Sequence, residues 1–429
     1  MRILRYTDPD YAKAIRSLNR HAEPDAEVYA TVHEIVETVR RNGNRALFEY
    51  TRKFGGPELT EKTVRVSATE LKAARKRVSP ETRAAIAASH ENVRQFAEKS
   101  KRKNWSARNA QGALVGERFD PFERVGIYVP GGTAPLVSTA IMTCTLAAVA
   151  GVPEIVVATP AAPDGKVNDA LLYALQYAGA TEIYKVGGAQ AIAALAYGTE
   201  SIRPVVKIFG PGNAYVVETK RQVFGRVAMD LIPGPSEILV IADSSANPAW
   251  IAADLLAQAE HGHNSEVVLV SNSARILEKV QQEIERQAAS LSRGVHIREV
   301  LEASTTLVLV KNLREAVALC NAYAPEHTSI VTRDDEAIAA QLRTSGALFL
   351  GGYSPVAAGD FAAGPSHVLP TGGAGKSFPG LTVDQFQRRT SIVRLDERSL
   401  RKTIPIIETF ARIEGLDAHG RSATIRLEK

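Results

Sequence analysis

Two cysteines in 429 residues are too few for a disulfide framework, which suits a reducing compartment and predicts a cytoplasmic protein. Cys144 and Cys320 both fall in apolar helical stretches and read as buried and inert. No apolar run approaches the length that spans a bilayer, and the N-terminus lacks the apolar core of a secretion signal. The formal charge of +5 is small for this length. A basic stripe with interleaved aromatics is missing, which argues against a nucleic-acid partner. The one basic run, Lys99-Ser-Lys-Arg-Lys103, reads as the solvated end of a helix.

Several familiar motifs are absent too. Gly210-Pro-Gly-Asn213 is not the G-x-G-x-x-G of the usual dinucleotide fold. Pro370-Thr-Gly-Gly-Ala-Gly-Lys-Ser377 resembles a P-loop, but Pro370 stands where the first glycine is required. His33-Glu34 lacks the second histidine of a metalloprotease helix. There is no low-complexity segment and no short repeat.

What is present is a chain too long for one ordinary core. Residues 1–119 read as a helical region packing on the core. Ser79-Pro80-Glu81 marks one helix start, with a capping hydroxyl, proline at the first helical position and an acid in the first turn. From about 120, short β-branched runs alternate with Ala/Leu-rich helical stretches. Runs at 125–129, 154–158, 182–186 and 205–209 predict a first Rossmann-like α/β unit over 120–235. Runs at 237–242, 266–270, 306–310, 328–332 and 347–350 predict a second over 236–380. The fold class is therefore α/β, with two doubly wound units. Regular texture stops after Gly351, and 353–380 reads as a long Gly- and Pro-rich loop, a length that is usually functional. Residues 381–429 form a small helical tail.

Glu326 and His327 are adjacent in a Pro-led turn, two proton-transfer groups of different basicity at one place. Gln258 and His261 are three apart, so they share a face at the last turn of a helix opened by Asn247-Pro248. With Asp360 and His419 they would make a four-ligand N/O site suited to zinc or a similar ion. The competing account of His261 is a simple helix cap. His263 reads as solvated. The Gly131-Gly132 turn between a strand and a helix offers backbone N–H groups to cofactor phosphates, or merely packs tightly. These residues alone do not separate a metal hydrolase from a dehydrogenase.

Taken in order, the blocks Arg124-Val-Gly-Ile-Tyr-Val-Pro-Gly-Gly132, Val186-Gly-Gly-Ala-Gln190, Gly210-Pro-Gly-Asn213, Gly234-Pro-Ser-Glu237, Gln258-Ala-Glu-His261, Ala324-Pro-Glu-His327, Gly359-Asp360, His367-Val-Leu-Pro-Thr371 and Glu414-Gly-Leu416 with His419 resemble the histidinol dehydrogenases. The resemblance covers nearly the whole chain. It implies zinc on Gln258, His261, Asp360 and His419, one ion per subunit. It implies Glu326 and His327 as the catalytic pair and Tyr128, Gln190 and Asn213 as NAD contacts. Ser236, His327 and Glu414 match substrate contacts, with the zinc ligands beside them, and His367 matches a substrate-pocket histidine. It further implies a homodimer whose tail completes the partner's site, and oxidation of L-histidinol to L-histidine in two hydride transfers to NAD. The chain departs from the usual pattern at Pro135-Leu-Val137, Leu231-Ile232, Pro365-Ser366 and Ala374-Gly-Lys-Ser377. Those departures leave room for a sister dehydrogenase acting on another polar alcohol, such as a sulfonated propanediol. A non-catalytic NAD- or metal-binding module is the alternative from another class.

Overall fold

A computed structural model describes the chain except residues 19–25, 132–134, 233, 263–264 and 429. The sequence pattern resolves into two parallel sheets and one small antiparallel sheet. The chain opens with β1 (Arg2–Arg5), and β2 (Trp105–Arg108) and β3 (Leu114–Pro121) follow a helical stretch. β4 (Arg124–Tyr128), β5 (Glu154–Ala158), β6 (Glu182–Tyr184), β7 (Lys207–Phe209) and β8 (Ala228–Met229) form the first parallel sheet, in the order β6-β5-β4-β7-β8. β9 (Glu237–Ala242), β10 (Glu266–Ser271), β11 (Thr305–Leu309), β12 (His327–Val331) and β13 (Ala347–Leu350) join β1 in the second, in the order β1-β11-β10-β9-β12-β13. β14 (Gln387–Arg394) pairs antiparallel with β3, and β2 lies on the other side of β3.

Both parallel sheets grow outward from their first central strand, β4 or β9, and then cross to the other side. This is the doubly wound plan, and it opens a crevice where the direction reverses. β4 and β9 are buried at every residue, because helices cover both faces; that is why, after the leading Arg124 and Glu237, they do not alternate with polar residues. The helix forecast at Ser79-Pro80 is Pro80–Ser100, with the Ser79 hydroxyl accepting from Thr82 N at 3.1 Å.

Two details go beyond the sequence reading. The N-terminal region is mostly helical and also supplies β1 to the second sheet and β2 and β3 to the small one. Within 353–380 the structure places a six-residue helix, Val356–Phe361, and a 3-10 turn, Ala374–Lys376, both too short to leave a periodic signal. In the tail, helices Glu397–Glu414 and Asp417–Thr424 pack mainly on each other.

The chain passes from β8 at the carboxyl edge of the first sheet to β9 at the amino edge of the second in seven residues, 230–236. The two sheets thus meet at opposite edges, and the site lies at that junction.

Candidate active site at the junction of two sheets

β12 begins at His327, so Glu326 is the last residue before the strand and its side chain need not alternate with that of His327. Gly346 and Ala347 donate to the carbonyls of Pro325 and Glu326, which pins this turn to β13. Both side chains are buried. Glu326 Oε2 accepts from Ser236 Oγ at 2.6 Å and from Glu237 N at 2.9 Å. Burial pushes the Glu326 carboxyl up to about 8, against the pull of Ser236 and His261. Burial lowers the His327 imidazole to about 4, against the attraction of Asp360. Neutral His327 donates from Nδ1 to the Glu237 carbonyl at 3.0 Å. That leaves Nε2 with its lone pair open; it is buried, has no hydrogen-bond partner among the described residues, and lies 3.9 Å from Asp360 Oδ1.

Gln258 lies in the last turn of the Pro248–Ala259 helix, which Asn247 caps through Ala249 N. Its Nε2 donates to Ser236 Oγ at 2.7 Å, so the amide oxygen is the group left to bind a cation. Ser236 thereby couples Gln258 to Glu326. His261 stands exposed just past the helix end, and Asp360 is half-buried on the Val356–Phe361 helix. Burial raises the Asp360 carboxyl, partly offset by His327. His367 donates from Nδ1 to the Asp360 carbonyl at 3.0 Å, and Nε2 meets Thr139 Oγ1 at 3.1 Å. Both its ring nitrogens are thus engaged by protein groups, and burial lowers it to about 4.

One chain therefore gathers Ser236, Gln258, Glu326, His327 and Asp360. Glu414 and His419 are exposed on the tail helices instead. Among the described residues, no three or more His, Cys, Asp or Glu side chains form a metal cage. The donors of this chain nevertheless fit zinc chemically: a freed amide oxygen, an exposed imidazole and a carboxylate.

The expected NAD contacts lie at the carboxyl edge of the first sheet. Tyr128 is buried at the end of β4, and its hydroxyl accepts from Gly188 N at 3.1 Å. Gln190 is buried in the Gly188–Tyr197 helix, and its Oε1 has no partner among the described residues. Asn213 is exposed and caps the Ala214–Val223 helix through Val216 N at 3.1 Å. Gly132 and His263 lie outside the described residues. The P-loop-like stretch is packed, with Gly372 N donating to Glu237 Oε1 at 2.7 Å. Burial pushes the thiols of Cys144 and Cys320 up to about 12 and about 11, which leaves them protonated at neutral pH.

Sequence reasoning missed Glu237 as the orienter of His327. It acts through its backbone carbonyl, which no residue-type signal reports.

A family model described as histidinol dehydrogenase matches residues 18–427. The chain is 42% identical over 429 residues to the histidinol dehydrogenase of Heliobacterium mobile, covering all of both chains. It is 44% identical over 429 residues to that of Syntrophotalea carbinolica, covering 100% of this chain and 99% of the relative. The crystal structure of histidinol dehydrogenase from Elizabethkingia anophelis superposes with a TM-score of 0.95 at 34% identity, covering 100% of this chain and 98% of that one. An acetylating aldehyde dehydrogenase from Geobacillus thermoglucosidasius shares the fold alone, with a TM-score of 0.51 at 16% identity over 88% of this chain and 99% of the other.

Proposed function

The chain belongs to the histidinol dehydrogenase family, and on that premise we propose that it oxidises L-histidinol through histidinal to L-histidine with NAD and zinc. It is an oxidoreductase of histidine biosynthesis. Gln258, His261 and Asp360 hold the zinc together with His419 of a second copy. Tyr128, Gln190 and Asn213 face the NAD, and Ser236, His327 and Glu414 contact the substrate. Among the described residues no helix is long and apolar enough to cross a membrane, and we place the enzyme in the cytoplasm.

The observation that carries the cofactor assignment is the polarity of the two edges. At the carboxyl edge of the first sheet the helices Val137–Ala150, Gly188–Tyr197 and Ala214–Val223 begin, and helix N-termini favour anions such as a dinucleotide's phosphates. At the amino edge of the second sheet the helices Pro248–Ala259 and Leu313–Tyr323 end, and helix C-termini favour a cation. An anionic cofactor and a metal thus have complementary seats on either side of one junction.

Zinc held by Gln258, His261, Asp360 and His419 of a second copy would supply a Lewis acid that anchors the substrate, leaving the proton transfers to this chain's side chains. His327 accepts the hydroxyl proton at Nε2 while a hydride leaves for NAD. Its Nδ1–H stays on the Glu237 carbonyl, and Asp360 stabilises the imidazolium. Glu326 then takes a proton from water as it adds to the aldehyde. Its raised pKa suits a proton acceptor working near neutrality. His327 takes the hydrate's proton as the second hydride departs. One water is consumed, and one carboxylate, two NADH and three protons are released.

The dimer rests on the tail. Ile406, Phe410 and Ile413 share one face of the Glu397–Glu414 helix and are 43%, 57% and 72% exposed, an apolar stripe suited to a second copy.

The decisive assay follows NADH per histidinol. Two NADH per substrate, lost with a chelator and restored by zinc, is the expected result. Zinc-loaded protein inactive on histidinol but active on a sulfonated propanediol would overturn the substrate assignment.

A further inference from the structure

Beneath the Gly210-Pro-Gly-Asn213 turn lies an ion pair with no solvent contact on either side chain. Lys220 Nζ is 2.7 Å from Asp230 Oδ1, and both side chains are 0% exposed. Burying two charges is expensive, and well-packed apolar residues are often cheaper, so the pair calls for a reason.

Its other bonds supply one. Lys220 Nζ also donates to the Gly210 carbonyl at 2.6 Å and to the Leu231 carbonyl at 3.5 Å, which uses its three protons. Asp230 Oδ2 accepts from Gly210 N at 2.7 Å, and Oδ1 accepts from Leu231 N at 2.6 Å. Both backbone polar groups of Gly210 are therefore held by the two partners of one salt bridge. The turn needs such a hold. Gly210 has φ +108, and a Cβ there would lie 2.1 Å from the Tyr128 carbonyl, so it must be glycine, the most freely rotating residue. Pro211 has no N–H to donate.

The turn joins the candidate cofactor contacts. Gly210 presses on the backbone of Tyr128, and Asn213, three residues on, opens the Ala214–Val223 helix. Lys220 projects from that same helix, so the pair ties helix, turn and strand end together from below.

We infer that Lys220 and Asp230 are a positioning pair that pre-sets the Gly210–Asn213 turn for NAD, and so governs NAD affinity without touching the cofactor. The inference rests on the placement of NAD at this edge. It goes beyond it by assigning the turn's shape to the protein and not to the bound cofactor.

The test uses the zinc-loaded full-length enzyme, Asp230→Asn, and the charge-free double variant Lys220→Met with Asp230→Leu. NADH binding by fluorescence, KM for NAD and for histidinol, kcat and zinc content are measured. Folded variants should bind NADH at least about tenfold more weakly, while histidinol KM, zinc content and kcat at saturating NAD stay within about twofold. Unchanged NADH affinity in a folded variant, or equal losses in kcat and zinc, overturns the inference. Asn213→Ala separates this from the underlying placement: if it weakens NADH binding while the pair variants do not, only the positioning role falls. If wild type and Asn213→Ala bind NADH alike, the placement falls and the inference with it. Should neither pair variant fold, amide exchange in the wild-type enzyme decides. A Gly210 amide already slow without NAD supports a pre-set turn, and one that slows only on NAD binding overturns it.

Discussion

The Nδ1 nitrogen of His327 stands 3.0 Å from the main-chain carbonyl of Glu237, the first residue of the neighbouring strand β9. A backbone acceptor cannot rotate away or titrate. The ring is thereby held in one orientation with its proton on Nδ1, and the basic lone pair on Nε2 faces Asp360.

Replacing His327 by asparagine should lower turnover by on the order of 10²–10⁴ while zinc stays bound. Steady-state rates beside metal content by atomic absorption check this. A near-normal rate would remove His327 from the proton transfers.

Glu326→Gln should slow oxidation of histidinal by on the order of 10² and spare the alcohol step to within about tenfold. Each step is measured separately, with histidinol or histidinal supplied in single-turnover reactions. Equal losses would contradict the division of labour between the two side chains.

If the tail acts in trans, His327→Asn and His419→Asn proteins should complement each other when unfolded together and refolded. Half of randomly formed dimers are mixed, and each mixed dimer holds one intact site, so about a quarter of wild-type activity should return. No recovery would mean that the tail serves its own chain.

Acid should weaken the fold through Glu182. Its side chain accepts two hydrogen bonds from buried Arg124, at 2.9 Å each, which holds its carboxyl down at about 2 against an ordinary 4.5. A depressed folded pKa stabilises the protein above the unfolded value, and that stability is lost as pH falls from about 4.5 to about 2. After allowance for solvent screening the loss is about 1–2 kcal/mol. Urea midpoints across that range should fall less steeply for Glu182→Gln than for wild type, and identical slopes would refute the assignment.

The doubly wound sheets were legible in the sequence because β5, β9 and β10 are buried on both faces and leave runs of Val, Ile and Leu. The small sheet was not. β2 is exposed at all four residues, and β14 carries Arg388, Arg389 and Arg394 while pairing with a strand far back in the chain. The polar residue types at the site were legible, since Gln258, His261, Glu326, His327 and Asp360 announce their chemistry. What holds them was not: the Glu237 carbonyl, the Thr139 hydroxyl on His367 and the Gly210 clamp are contacts made only in space.

The meeting of a carboxyl edge with an amino edge makes the junction electrically lopsided even if every side chain is ignored. A bound pair of opposite signs would find only one favourable way round. Charge changes on the outer surface should then alter how fast an anionic cofactor arrives, and leave its orientation to the backbone.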